Sequence, residues 1–78
     1  MRVILESTDK IVELQTSTGI VPARLWEGVT DSGIQCHAFI TRIAVHKDDD
    51  ATQFERELKK QRAPSAALPK VYDTRLVL

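Results

Sequence analysis

The chain has 78 residues, 11 basic against 11 acidic side chains for a formal net charge of zero, and one cysteine. That length allows a single domain and excludes a multidomain enzyme. A lone cysteine excludes an intramolecular disulfide framework, and since no apolar run exceeds three residues, none is long enough for a membrane-spanning helix.

Residues 1–7 and 10–15 are rich in β-branched side chains and alternate loosely. They read as a first hairpin turning at Ser7-Thr8-Asp9-Lys10, with Leu5 facing Val12 and Val3 facing Leu14. Residues 16–19 form a loop, and a third strand covers about 20–29. A fourth strand covers about 34–47, joined to the third through Thr30-Asp31-Ser32-Gly33, where Gly33 suits a left-handed loop position. A strand of 14 residues is long enough to need a bend or bulge. Asp48-Asp49-Asp50 leads into a helix over 51–62, with Asp50 and Gln53 spaced as a capping box. Ala51, Phe54 and Leu58 supply its apolar stripe, and Pro64 stops it. Residues 63–78 read as a linker followed by an extended tail, with a last strand at 75–78. The expected fold is α+β: an antiparallel sheet of four to five strands with one helix packed on one face, in a domain spanning 1–62.

With Asp31-Ser32-Gly33 as the loop, Thr30 sits opposite Ile34 and the hairpin sorts into two faces. One holds Val21, Ala23, Leu25, Phe39, Thr41, Ile43 and Val45, with Glu27 beside His37 as a polar pair at its end. This face matches Phe54 and Leu58 of the helix. The other holds Ile20, Pro22, Arg24, Trp26, Cys36, Ala38, Ile40, Arg42 and Ala44. It is also largely apolar and therefore needs a cover. The C-terminal tail, a second copy of the chain and an external partner are the candidates. A domain of this mass buries only about 63% of the surface of its unfolded chain, so small folds add a staple. With no disulfide available, self-association as a dimer or a higher even-numbered oligomer is expected. Trp and Arg, the residue types enriched at interface hot spots, point to Arg24, Trp26, Ala38, Ile40 and Arg42 as the contact face.

Catalytic and metal-binding patterns are poorly supplied. Cys36 and His46 would lie about 33 Å apart on one straight strand, and no paired-Cys or His-Glu-x-x-His spacing occurs. Neither a metal nor a cofactor is expected. Cys36 and His37 are adjacent on a strand and point to opposite faces, so they cannot activate each other. Gly19, Gly28 and Gly33 are isolated and form no phosphate-cradling loop. Arg56, Lys59, Lys60 and Arg62 suit the negative end of a helix dipole, and the neutral chain lacks the basic footprint of a nucleic-acid binder. The remaining sharp constellation is Arg24, Trp26 and Arg42. An indole stacks on a flat ring, and two guanidinium groups clamp phosphate.

The stretches Val21-Pro22-Ala23-Arg24-Leu25-Trp26-Glu27-Gly28 and Ile40-Thr41-Arg42-Ile43-Ala44-Val45 resemble small proteins of tailed phages, prophages and their bacterial hosts. The resemblance covers most of residues 1–62 and brings no activity and no catalytic residue with it. It implies a setting in which short proteins bind and block a host component or sequester a host signal, as in counter-defence. The sequence therefore reads as a non-enzymatic, self-associating binding module of the cytoplasm, without a membrane role. The alternative is a protein that sequesters a small anionic, nucleotide-like signal at an oligomer interface.

Overall fold

The structure, a computed structural model, describes residues 1–65. Strand β1 spans Val3–Thr16, β2 Gly19–Thr30 and β3 Gln35–Ile40, followed by helix α1 over Ala51–Leu58. The three strands form one antiparallel sheet in the order β1-β2-β3, so the chain is α+β. The last strand expected at 75–78 lies outside the described residues.

The first hairpin is not where the sequence pattern places it. Ser7-Thr8-Asp9-Lys10 does not reverse the chain; β1 runs straight through it and turns only at Ser17-Thr18, where Thr16 sits opposite Gly19. Ser7 lies opposite Trp26 and Ile11 opposite Arg24, so three residues of β1 face the single Leu25 of β2. This is a β-bulge, which leaves backbone groups unpaired and bends the strand. Thr8 stabilises it: its hydroxyl donates to the Leu25 carbonyl at 2.7 Å and accepts from the Lys10 N–H at 3.3 Å, and the residue is fully buried. A further consequence is that Leu5 and Val12 belong to opposite faces, since directly opposed residues share one.

The second hairpin has the register expected from its loop. Glu27 faces His37, Trp26 faces Ala38 and Arg24 faces Ile40. Gly33 has φ +86°, a left-handed conformation in which a side chain would be strained. The strand after it is short, however, and ends at Ile40 rather than near residue 47. Thr30 N–H donates to Ile34 O at 3.0 Å, which aims the N–H groups of even-numbered β2 residues at β3. Leu25, bonded through its carbonyl to Thr8, points the other way. Continuing the register would set Arg42 against Pro22, which has no N–H to give. The ladder stops at Arg24–Ile40, one hydrogen-bonded pair before it.

Helix α1 starts as its sequence requires. The Asp50 carboxylate accepts from Gln53 N–H at 3.0 Å. The Gln53 side chain turns away to Glu57, so the reciprocal half of a capping box is not made. The helix ends at Leu58, well before Pro64, because the next residues are bound to β1. Ser7 Oγ donates to Lys60 O at 3.0 Å. Arg62 then lies alongside Thr8 as a parallel bridge, donating to Ser7 O and accepting from Asp9 N–H. The bulge thus exposes the backbone groups that capture the chain leaving the helix.

Among the described apolar residues only Ala23 and Leu25 are fully buried, both on the Glu27 side of the sheet. Phe54 and Leu58 are half-buried. Ile43, expected in the core, is 48% exposed. It follows the end of β3 and borders the Trp26 side instead.

Candidate functional site

The sheet carries two separate clusters, one on each face. On the first face Glu27 is buried with four donors around its carboxylate. Oε1 accepts from Arg62 Nη1 at 2.7 Å, Ser65 N–H at 2.9 Å and Ser65 Oγ at 3.2 Å. Oε2 meets His37 Nε2 at 2.9 Å. Arg62 Nε also donates to Glu6 Oε2 at 3.2 Å. These contacts lower the Glu27 carboxyl from 4.5 to about 2; the Ser65 N–H is the largest cause, burial opposes it, and Arg62 and His37 reinforce it. Arg62 is in turn raised above its ordinary value, chiefly by its bond to Glu27. A carboxylate held this far down, with both oxygens engaged, takes up no proton near neutral pH and is not poised as a general base. It fastens the chain instead. The segment passes from Lys60 beside Ser7, around the β1 edge at Arg62, to Ser65 on the far face.

The sequence places Glu27 beside His37 but has no signal for Arg62 and Ser65, which are 35 and 38 residues away. Arg62 reads there as the basic end of a helix.

The second cluster surrounds Trp26. Along this face the register sets Val3, Leu5, Ser7 and Ile11 of β1 beside Arg24, Trp26 and Gly28 of β2 and Cys36, Ala38 and Ile40 of β3. Two hollows flank the indole. One, of about 290 Å³ and open to solvent, is bordered by Ile11, Arg24, Trp26, Ile40, Arg42 and Leu58, among others. The other is bordered by Leu5, Ser7 and Trp26 together with Glu6, Glu57, Lys60 and Arg62. The end of α1 therefore stands on the Trp26 side of the sheet, whereas its apolar stripe is expected to match the Leu25 side. The tether of Lys60 and Arg62 to the β1 bulge sets that position. Arg42 lies beyond the end of β3 and still reaches the same hollow as Arg24 and Trp26. Arg24 Nη1 donates to Thr8 O at 2.8 Å, which holds its guanidinium group beside the bulge.

Cys36 is a free thiol opposite Gly28 on the Trp26 face, while the neighbouring His37 pairs with Glu27 on the other. His46 contacts only exposed Asp48 among its described ion pairs. Among the described residues no three His, Cys, Asp or Glu side chains gather as a metal-binding group, and no helix is long and apolar enough to cross a membrane.

Comparison with protein-family models, curated proteins and solved structures finds no match for the chain.

Proposed function

We propose that the protein is a non-enzymatic binding module that self-associates through its Trp26 face. The observation that carries this reading is the exposure of apolar side chains on that face: Val3 at 42%, Ile11 at 48% and Ile20 at 59%. Exposed apolar side chains beside an aromatic anchor suit an interaction surface. Ala38 beside the indole, and Gly28 and Cys36 beyond it, are small residues on the same face. Trp26 offers a large anchor beside them. Pro22 favours face-to-face over edge-to-edge association, since it removes a backbone donor from the open side of β2. The resemblance to phage proteins adds a host component as a second partner for the same surface.

Native mass spectrometry of the parent chain is expected to give an even-numbered oligomer, and Trp26→Ala to reduce it to monomer. Ile20→Lys lies far from the buried residues and tests the same face without a core substitution. Circular dichroism of both variants separates dissociation from unfolding. A folded Ile20→Lys and a folded Trp26→Ala that both keep the parent mass would remove the interface.

A further inference from the structure

We propose that the hollow between Trp26 and Arg42 binds a small anionic ring compound of the nucleotide class, its ring against the indole and its phosphate on Arg42 and Arg24. The proposal builds on the self-associating Trp26 face, because a second copy would close the open side of the hollow.

Charge is the first argument. The chain as a whole is neutral, yet the described residues bordering this hollow include two arginines and no carboxylate. The hollow on the other side of Trp26 is bordered by Glu6 and Glu57 as well as Lys60 and Arg62, and Arg62 is already bonded to Glu6 and Glu27. Arg24 uses one N–H on Thr8 O, which orients the guanidinium and leaves its other donors available. Among the described residues Arg42 has no hydrogen-bond or ion-pair partner. Planar guanidinium forks match phosphate in bidentate fashion.

Shape is the second argument. Trp26 supplies a flat face, and Ile11, Pro22, Ile40 and Leu58 supply apolar walls. At about 290 Å³ the hollow is just smaller than the roughly 300–1,000 Å³ of small-molecule sites. That fits one ring with its phosphates. A nucleic-acid polymer needs a run of phosphate contacts, for which a neutral chain with one indole is poorly equipped.

The single tryptophan makes the test direct, because all indole fluorescence comes from the site. ADP and GDP are titrated against the intact protein, with adenosine and inorganic pyrophosphate as the probes lacking phosphate or ring. At least one nucleotide is expected to quench Trp26 saturably, with both partial probes about tenfold weaker or more. Arg42→Gln is expected to weaken nucleotide binding by about tenfold, with the circular dichroism of the folded chain unchanged. Absence of saturable quenching by both nucleotides at millimolar concentration would overturn the proposal. So would equal affinity for the Arg42→Gln variant, or pyrophosphate binding as tightly as the nucleotides. Native masses recorded on the same samples keep the two readings apart. An oligomer that never quenches removes the ligand and leaves the interface. A monomer that quenches removes the interface and leaves the ligand.

Discussion

Gly28 sits opposite Leu5 where β1 and β2 come together at the end of the Trp26 face. A methyl group added there would overlap the Ile4 carbonyl oxygen and lie 2.9 Å from Leu5 Cα. Both obstacles are backbone, so neither can rotate away. Gly28→Ala is therefore expected to split the β1–β2 ladder and to lower stability by about 3 kcal/mol or more, the range of severe steric substitutions. Urea unfolding measures it, and a loss below about 1 kcal/mol would contradict the close approach. Gly33 differs: its space is open and its constraint is φ +86°, so alanine there costs only the left-handed conformation, about 1–2 kcal/mol. The Gly33 requirement is legible from the loop it occupies. The Gly28 requirement is not, because it comes from a strand 24 positions away.

Pro22 decides how far β3 extends. Its side of β2 faces β3 in the hydrogen-bonding direction, and the next hydrogen-bonded pair after Arg24–Ile40 would need a donor it lacks. Substituting valine restores that N–H without adding a polar group. Pro22→Val is expected to lengthen β3 by one hydrogen-bonded pair to Arg42. Amide hydrogen exchange would then be slow at the substituted position and at Arg42. Exchange at the rate of an open loop at both positions would mean that something other than Pro22 ends the strand. The helix boundary has a comparable cause. Its start at Asp50 follows from local chemistry, because a carboxylate before a helical run accepts an orphan N–H. Its end follows from the β1 bulge, which captures residues 60–62.

At the scale of the whole molecule, Glu27 joins the sheet to the segment that follows the helix. Protonation of Glu27 removes acceptor capacity from Arg62, Ser65 and His37 together. In the unfolded chain the carboxyl takes up its proton near 4.5, and in the folded chain only near 2. Its stabilising contribution is therefore complete above about pH 5 and is lost as pH falls toward 2. Acid unfolding of the parent should show a stability loss across that window from uptake of about one proton at this site. Glu27→Gln should be less stable at neutral pH and flatter between pH 5 and 2. An unchanged slope in the variant would place the acid sensitivity at another carboxylate.

Local chemistry was enough to place the loop at Asp31-Ser32-Gly33, the register of β2 against β3, the pairing of Glu27 with His37 and the helix start at Asp50. Each depends on residues within about a dozen positions, where turn geometry and side-chain alternation act directly. The same alternation failed at Thr8. A bulge and a turn present similar polar residues, and only the buried bond from Thr8 to Leu25 across the sheet selects the bulge. The tertiary structure alone decided that the helix end stands beside Trp26, that Arg62 crosses the β1 edge to reach Glu27, and that Arg42 joins Arg24 after β3 has ended. Those placements rest on contacts between distant segments, which no local pattern in the chain encodes.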